Sequence, residues 1–187
     1  MAVVEIGWVV FFDARGRDGR ALGAVRVGAL PGMLTFTPDG RTVVVANEGE
    51  PADDFSTDPE GSVAVIAVPH RRAAPAQQDV RTADFRRFEH RLPDGVRVFG
   101  PQPNADYPRT ATLEPEYIAV DRSTAYVTLQ EANAIAVVDL RTARVSEINP
   151  LGAKDHSRWG NGIDPSNETV RSTSTACRCV GCTCPTP

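Results

Sequence analysis

Pro31-Gly-Met-Leu-Thr-Phe-Thr-Pro-Asp-Gly-Arg-Thr-Val-Val-Val-Ala-Asn-Glu48 returns further along the chain as Pro115-Glu-Tyr-Ile-Ala-Val-Asp-Arg-Ser-Thr-Ala-Tyr-Val-Thr-Leu-Gln-Glu131, one residue shorter at the turn. Each copy reads as an apolar strand, a tight polar turn, a second apolar strand and an acidic loop. A hairpin that recurs with carboxylates at the same end is the mark of radial repetition. It predicts an all-β chain built as a partial β-propeller of four-stranded antiparallel blades.

Short β-branched or aromatic runs bounded by turn residues extend this reading. Strands are expected at Gly7–Phe12, Ala24–Val27, Met33–Thr37, Thr42–Ala46, Ser62–Val68, Val96–Phe99, Glu116–Val120, Ala125–Gln130, Ala134–Leu140 and Arg144–Asn149. A blade with its loops takes about 40–45 residues. The last four strands then make one whole blade. Met33–Val68 supplies three strands of the blade before it, with Val96–Phe99 expected as its outer strand. The Ala-, Arg- and Pro-rich region 69–112 reads as a long, mobile insertion. With Gly7–Phe12 and Ala24–Val27 as part of an earlier blade and Lys154 opening a later one, the chain holds two blades and parts of two more. Propellers close with typically four to eight blades, so the chain is expected to be a fragment or to assemble with other chains.

Bulk composition excludes several functions. The 187 residues carry a formal net charge of −4, which leaves no electrostatic footprint for nucleic acid. The basic runs His70-Arg71-Arg72 and Arg86-Arg87 are short and read as solvated loop, with His70 and His90 at the surface. No apolar stretch exceeds strand length, so no membrane span is expected. The start, Met1–Asp13, carries Glu5 early and lacks the basic leading region of a signal peptide. Phosphate-cradling glycine loops, nucleophile elbows and zinc-protease helices are missing from the sequence. Asn167-Glu-Thr169 matches the short glycosylation acceptor pattern.

Strand direction places the candidate site. Loops leaving the second strand of a blade emerge on the same face as loops entering its first strand. Glu48 and Glu50 lie in a loop of the first kind, and Glu131 lies in its equivalent one blade on. Glu114 and Glu116 lie in a loop of the second kind, as do Lys154, Asp155 and His156. These eight residues are expected on one rim, and Asp53-Asp54-Phe-Ser-Thr-Asp58 extends the acidic loop or simply faces solvent. Clustered carboxylates call for positive charge. Ca²⁺ tolerates irregular oxygen ligand sets, and a histidine among them suits a transition metal equally. Lys154 would then hold an anion drawn to the metal. The same carboxylates are also what solvated strand ends carry.

The stretches Leu113-Glu-Pro-Glu-Tyr-Ile-Ala-Val120, Ala125-Tyr-Val-Thr-Leu-Gln-Glu131 and Pro150-Leu-Gly-Ala-Lys-Asp-His156 resemble the choice-of-anchor I family, as do Val27-Gly-Ala-Leu-Pro31 and Ala46-Asn-Glu-Gly-Glu-Pro51. These are bacterial secreted or surface-attached β-propeller proteins, met also as mesenchyme-specific cell-surface glycoprotein-like and, in places, as alkaline phosphatase or phytase-like. The resemblance covers about residues 20 to 168. It implies a seven-bladed type of propeller in a longer protein and an extracytoplasmic location. Without an export signal the chain as it stands is expected to stay in the cytoplasm.

After about Asn167 the family pattern stops, and all four cysteines follow: Cys177, Cys179, Cys182 and Cys184. Their spacing suits a thiolate metal site or a disulfide tail. A third reading is a lost nucleotide after Glu168, because back-translation in the shifted frame yields a family-like continuation. On this basis residues 169–187 form a tail outside the family.

Two function classes follow. The first is a binding or scaffold module that engages a protein, a cell-surface polymer or a phosphate-bearing ligand, its rim taking Ca²⁺ or another divalent cation. The alternative is a metal-dependent phosphoesterase, a phosphoric ester hydrolase, whose fragment would be inactive.

Overall fold

The structure is a computed structural model and describes residues 6–16, 18–69, 73–98, 108–159 and 161–162. The chain forms two compact units, Met1–Pro150 and Leu151–Pro187. Among the described residues the first unit is all-β, relieved only by short 3-10 turns.

Among the described residues ten strands form three antiparallel sheets: β1 (Ile6–Phe12) and β2 (Ala21–Ala29); β3 (Pro31–Phe36), β4 (Thr42–Asn47), β5 (Ser62–Ala67) and β6 (Val80–Ala83); β7 (Pro115–Asp121), β8 (Thr124–Leu129), β9 (Ala134–Asp139) and β10 (Arg144–Pro150). In each sheet the strands pair in chain order. The expected pair of four-stranded, propeller-like blades and the partial earlier one are therefore present. Residues 151–159, 161 and 162 form turns and irregular backbone with no strand, and the tail with its cysteines and Asn167 lies outside the described residues.

The second sheet lies between the other two, which explains why β4 is apolar without alternation. Val43 and Val45 pack with Val9 and Val25 of the first ribbon. Val44 and Ala46 point the other way, into a core with Ile118, Val127 and Ala136. A strand buried on both faces reads as a continuous apolar run, and each buried valine contributes about 1.5–3 kcal/mol. Strands β7 to β9 alternate instead, with Ala125, Val127 and Leu129 buried and Tyr126 exposed. On β1 the face turned away from the second sheet exposes Ile6, Trp8, Val10 and Phe12.

The β3–β4 turn uses its own side chains. Thr37 Oγ1 and the Arg41 amide donate to Asp39 Oδ1 at 2.6 and 3.0 Å, and Gly40 takes φ +67°. The shorter β7–β8 turn has a non-glycine, Arg122, at φ 53°.

One expectation is corrected. The outer strand of the second sheet is Val80–Ala83, hydrogen-bonded to β5, and not Val96–Phe99. Residues 96–98 form no strand, and Phe99 lies outside the described residues. Much of the supposed mobile insertion is thus part of the fold. Ala83 and Phe85 are buried, and Phe88, Leu92 and Val96 pack against the same core. Gln77 bridges to β2, its carboxamide accepting from the Arg26 amide at 2.8 Å and donating to the Arg26 carbonyl at 3.1 Å. Residues 70–72 and 99–107, the former including His70, lie outside the described residues.

Candidate functional site

Five of the eight rim residues come together. Glu48 and Glu50 follow β4, Glu131 lies between β8 and β9, Glu114 precedes β7 and Glu116 is its second residue. The loop bearing Glu48 and Glu50 is closed by glycine. Gly49 has φ +68°, and a Cβ there would lie 2.5 Å from the Pro59 carbonyl oxygen and 2.7 Å from the Gly61 nitrogen. Gly61 in turn lies against the backbone oxygens of Leu113 and Glu48, so the two acidic segments meet backbone to backbone.

The carboxylates feel one another. Burial, then the charges of Glu131, Asp58, Glu50 and Glu48, push Glu114 up to about 7. Burial and the neighbouring Glu116, Glu50 and Glu131 raise Glu48. Glu116 is raised by burial, Glu131 and Glu50. Asp58, from the acidic loop read as rim extension or solvated surface, is buried and pushed up to about 6 by desolvation. Its neighbours Asp53 and Asp54 are exposed, and Asp54 accepts the Ser56 amide at 3.0 Å. No basic side chain forms an ion pair with the five glutamates among the described residues.

Lys154, Asp155 and His156 belong to the second unit, and there Asp155 and His156 make local contacts. Asp155 Oδ1 accepts from the Ser157 amide and hydroxyl at 2.9 and 2.6 Å, and its other oxygen lies 3.3 Å from Arg158 Nε. The Ser157 hydroxyl, ahead of the other contacts, holds Asp155 below the ordinary carboxylate range. His156 Nδ1 sits 2.7 Å from the Asn161 carbonyl oxygen. Among the described residues no three of His, Cys, Asp and Glu converge closely enough to hold a metal ion.

The raised carboxyls make stability depend on pH. A carboxyl whose folded pKa lies above its ordinary 4.5 binds more protons folded than unfolded. Its stabilisation is complete below that ordinary value and is lost as pH rises through about 7. Glu114→Gln fixes the neutral form. After allowance for solvent screening it is expected to stabilise the protein by about 1 kcal/mol near pH 8 and not near pH 5. Chemical denaturation at both pH values checks this, and an equal effect at both would contradict it.

A cleft of about 430 Å³ opens beside Glu50, between that loop, Ile6 and Ala29 of the first ribbon, and Pro31 at the start of β3. No helix among the described residues is long and apolar enough to cross a membrane. No curated protein matches the chain. The sequence matches the choice-of-anchor I domain over residues 2–185, a range that includes most of the tail expected to fall outside the family. An all-β unit of stacked four-stranded sheets, with its family motifs in the strands and loops around the acidic cluster, accords with that match: the chain belongs to the choice-of-anchor I family.

Proposed function

We propose that this chain is a binding module of an extracytoplasmic, surface-attached propeller, and that the acidic cluster of the first unit is the part that binds. The observation behind this reading is a set of carboxylates from separate segments that lack a basic partner of their own among the described residues: burial first, and then the charges of the neighbouring carboxylates, raise the proton affinity of Glu48, Glu114 and Glu116. Such a cluster gains most from positive charge supplied by a ligand. A divalent cation, Ca²⁺ first, is the simplest source, because it accepts irregular oxygen sets completed by water. Since among the described residues no three carboxylates converge closely enough to hold a metal ion, binding would require the exposed side chain of Glu50 and the half-buried Glu48, Glu116 and Glu131 to move inward. A surface polymer or protein presenting ammonium groups would answer the same charge. The phosphoesterase alternative has no observation of this site in its favour.

The test is a thermal melt of the full chain with and without CaCl₂ at saturating concentration. The wild type is expected to gain roughly 5 °C, and the double variant Glu114→Gln, Glu116→Gln none. Equal shifts in both proteins, or no shift in either, would remove the cation from this proposal. Hydrolysis of a generic phosphate ester only in the presence of Ca²⁺ would favour the enzymatic reading instead.

A further inference from the structure

The opposite charge gathers at the outer seam between the second and third sheets. There a cleft of about 620 Å³ is lined by Arg81, Thr82, Asp84, Arg87, Thr142 and Arg144, among others. Arg81 lies on β6, the last strand of its sheet, and Arg144 opens β10, the last strand of the next. The cleft shares no residue with the acidic cluster.

Two of its guanidinium groups are held in place without being neutralised. Arg81 Nη1 and Nη2 donate to the carbonyl oxygens of Arg141 and Leu140 at 2.6 and 2.9 Å. Arg87 Nη1 donates to the Val145 carbonyl oxygen at 3.0 Å, and its guanidinium lies 5.0 Å from the Phe88 ring centre. Carbonyl oxygens fix position but leave the full positive charge, and each guanidinium keeps further N–H donors. The nearby carboxylates are engaged elsewhere. Glu60 takes Arg86 at 2.8 Å, and Asp139, the register partner of Arg144, takes Arg141 at 3.6 Å. Asp84 faces the cleft, its Oδ1 accepting the Arg86 amide at 3.2 Å. Among the described residues that line the cleft, three arginines therefore face one carboxylate.

We infer that this seam binds the phosphate or sulfate groups of an anionic polysaccharide. The guanidinium fork matches two oxygens of a tetrahedral oxyanion, and an arginine already oriented by a carbonyl loses little freedom on binding. The hydroxyls of Thr82 and Thr142 add donors suited to sugar and oxyanion alike. A cleft of this volume exceeds what one free ion fills and suits a substituted sugar unit. With a chain charge of −4 and no aromatic residue among the six named, a base-stacking nucleic acid is the poorer fit.

Four probes are to be compared on the full chain at low salt: dextran sulfate, uncharged dextran, inorganic sulfate and a DNA oligonucleotide of matched charge. Dextran sulfate is expected to bind, uncharged dextran not, and inorganic sulfate to compete only weakly. Arg144 makes none of the carbonyl bonds that clamp the seam, so Arg144→Ser should preserve the melting temperature while weakening dextran sulfate roughly tenfold. Arg81→Lys keeps the charge but loses the fork, and should weaken it less than Arg144→Glu. The inference fails if the wild type does not retain dextran sulfate. It fails equally if Arg144→Ser and Arg144→Glu bind it as tightly as the wild type, or if DNA binds as well. Glu114→Gln, Glu116→Gln should leave dextran sulfate binding unchanged, which separates this outcome from that of the acidic cluster.

Discussion

Phe85→Ala is expected to destabilise the first unit by about 3–5 kcal/mol, the usual cost of emptying a buried aromatic site. Phe85 is 2% exposed and belongs to the core shared by the second and third sheets. It lies two residues past the end of β6, so its removal also loosens the strand that closes the second sheet. Part of the loss can be recovered if Phe88 and Leu92, which pack against the same core, shift inward. Denaturant midpoints supply the measurement. A change below about 1 kcal/mol, within the usual spread of surface substitutions, would mean that residues 77–98 behave as the mobile insertion first expected.

Gly49→Val should cost a comparable amount, roughly 2–5 kcal/mol, by a different route. A β-branched residue in the left-handed region carries about 1–2 kcal/mol of strain, and overpacking adds about 1–3 kcal/mol. Here the atoms in the way are backbone: the Pro59 oxygen at 2.5 Å, the Gly61 nitrogen at 2.7 Å and the Glu60 carbonyl carbon at 2.9 Å. None of them can rotate aside as a side chain would. The loop has to open, and Glu48 and Glu50 move with it. The variant should therefore lose the pH dependence assigned to Glu114 as well as stability. A midpoint close to that of the wild type, with that pH dependence intact, would show that the loop conformation is not what holds the carboxylates together.

The repeated hairpin was legible because its information is local. Pro31–Glu48 and Pro115–Glu131 carry their strands as apolar runs and their turns as Asp39-Gly40 and Arg122-Ser123. Strand β6 was not legible, because Val80-Arg-Thr-Ala83 is short and half of it faces water. What makes it a strand is the free edge of β5, and propensity in a strand reflects its neighbours as much as its own residues. Chain direction was enough to bring Glu48, Glu50, Glu114, Glu116 and Glu131 together. It could not reveal the burial of Glu114 and Asp58, which depends on how loop 48–61 folds against Leu113 and Pro115. Asp155 shows the converse. Ser157 and Arg158 lie within three residues and engage it locally. The pair Arg86-Arg87 is exposed, as its reading as solvated loop expects, but Arg86 also grips Glu60 and Arg87 reaches Val145, partners 26 and 58 positions away that no local window contains.

The chain-ordered pairing of strands bears on synthesis. Within a sheet, every strand after the first finds a hydrogen-bonding partner already made, immediately upstream, as it emerges from a ribosome. Loop closure within a sheet is brief and entropically cheap, and domains generally acquire structure as units during translation. The long crossing from β6 to β7 is the exception. A pause in elongation there would leave a finished second sheet with one apolar face bare, making that interval the most vulnerable to misassociation.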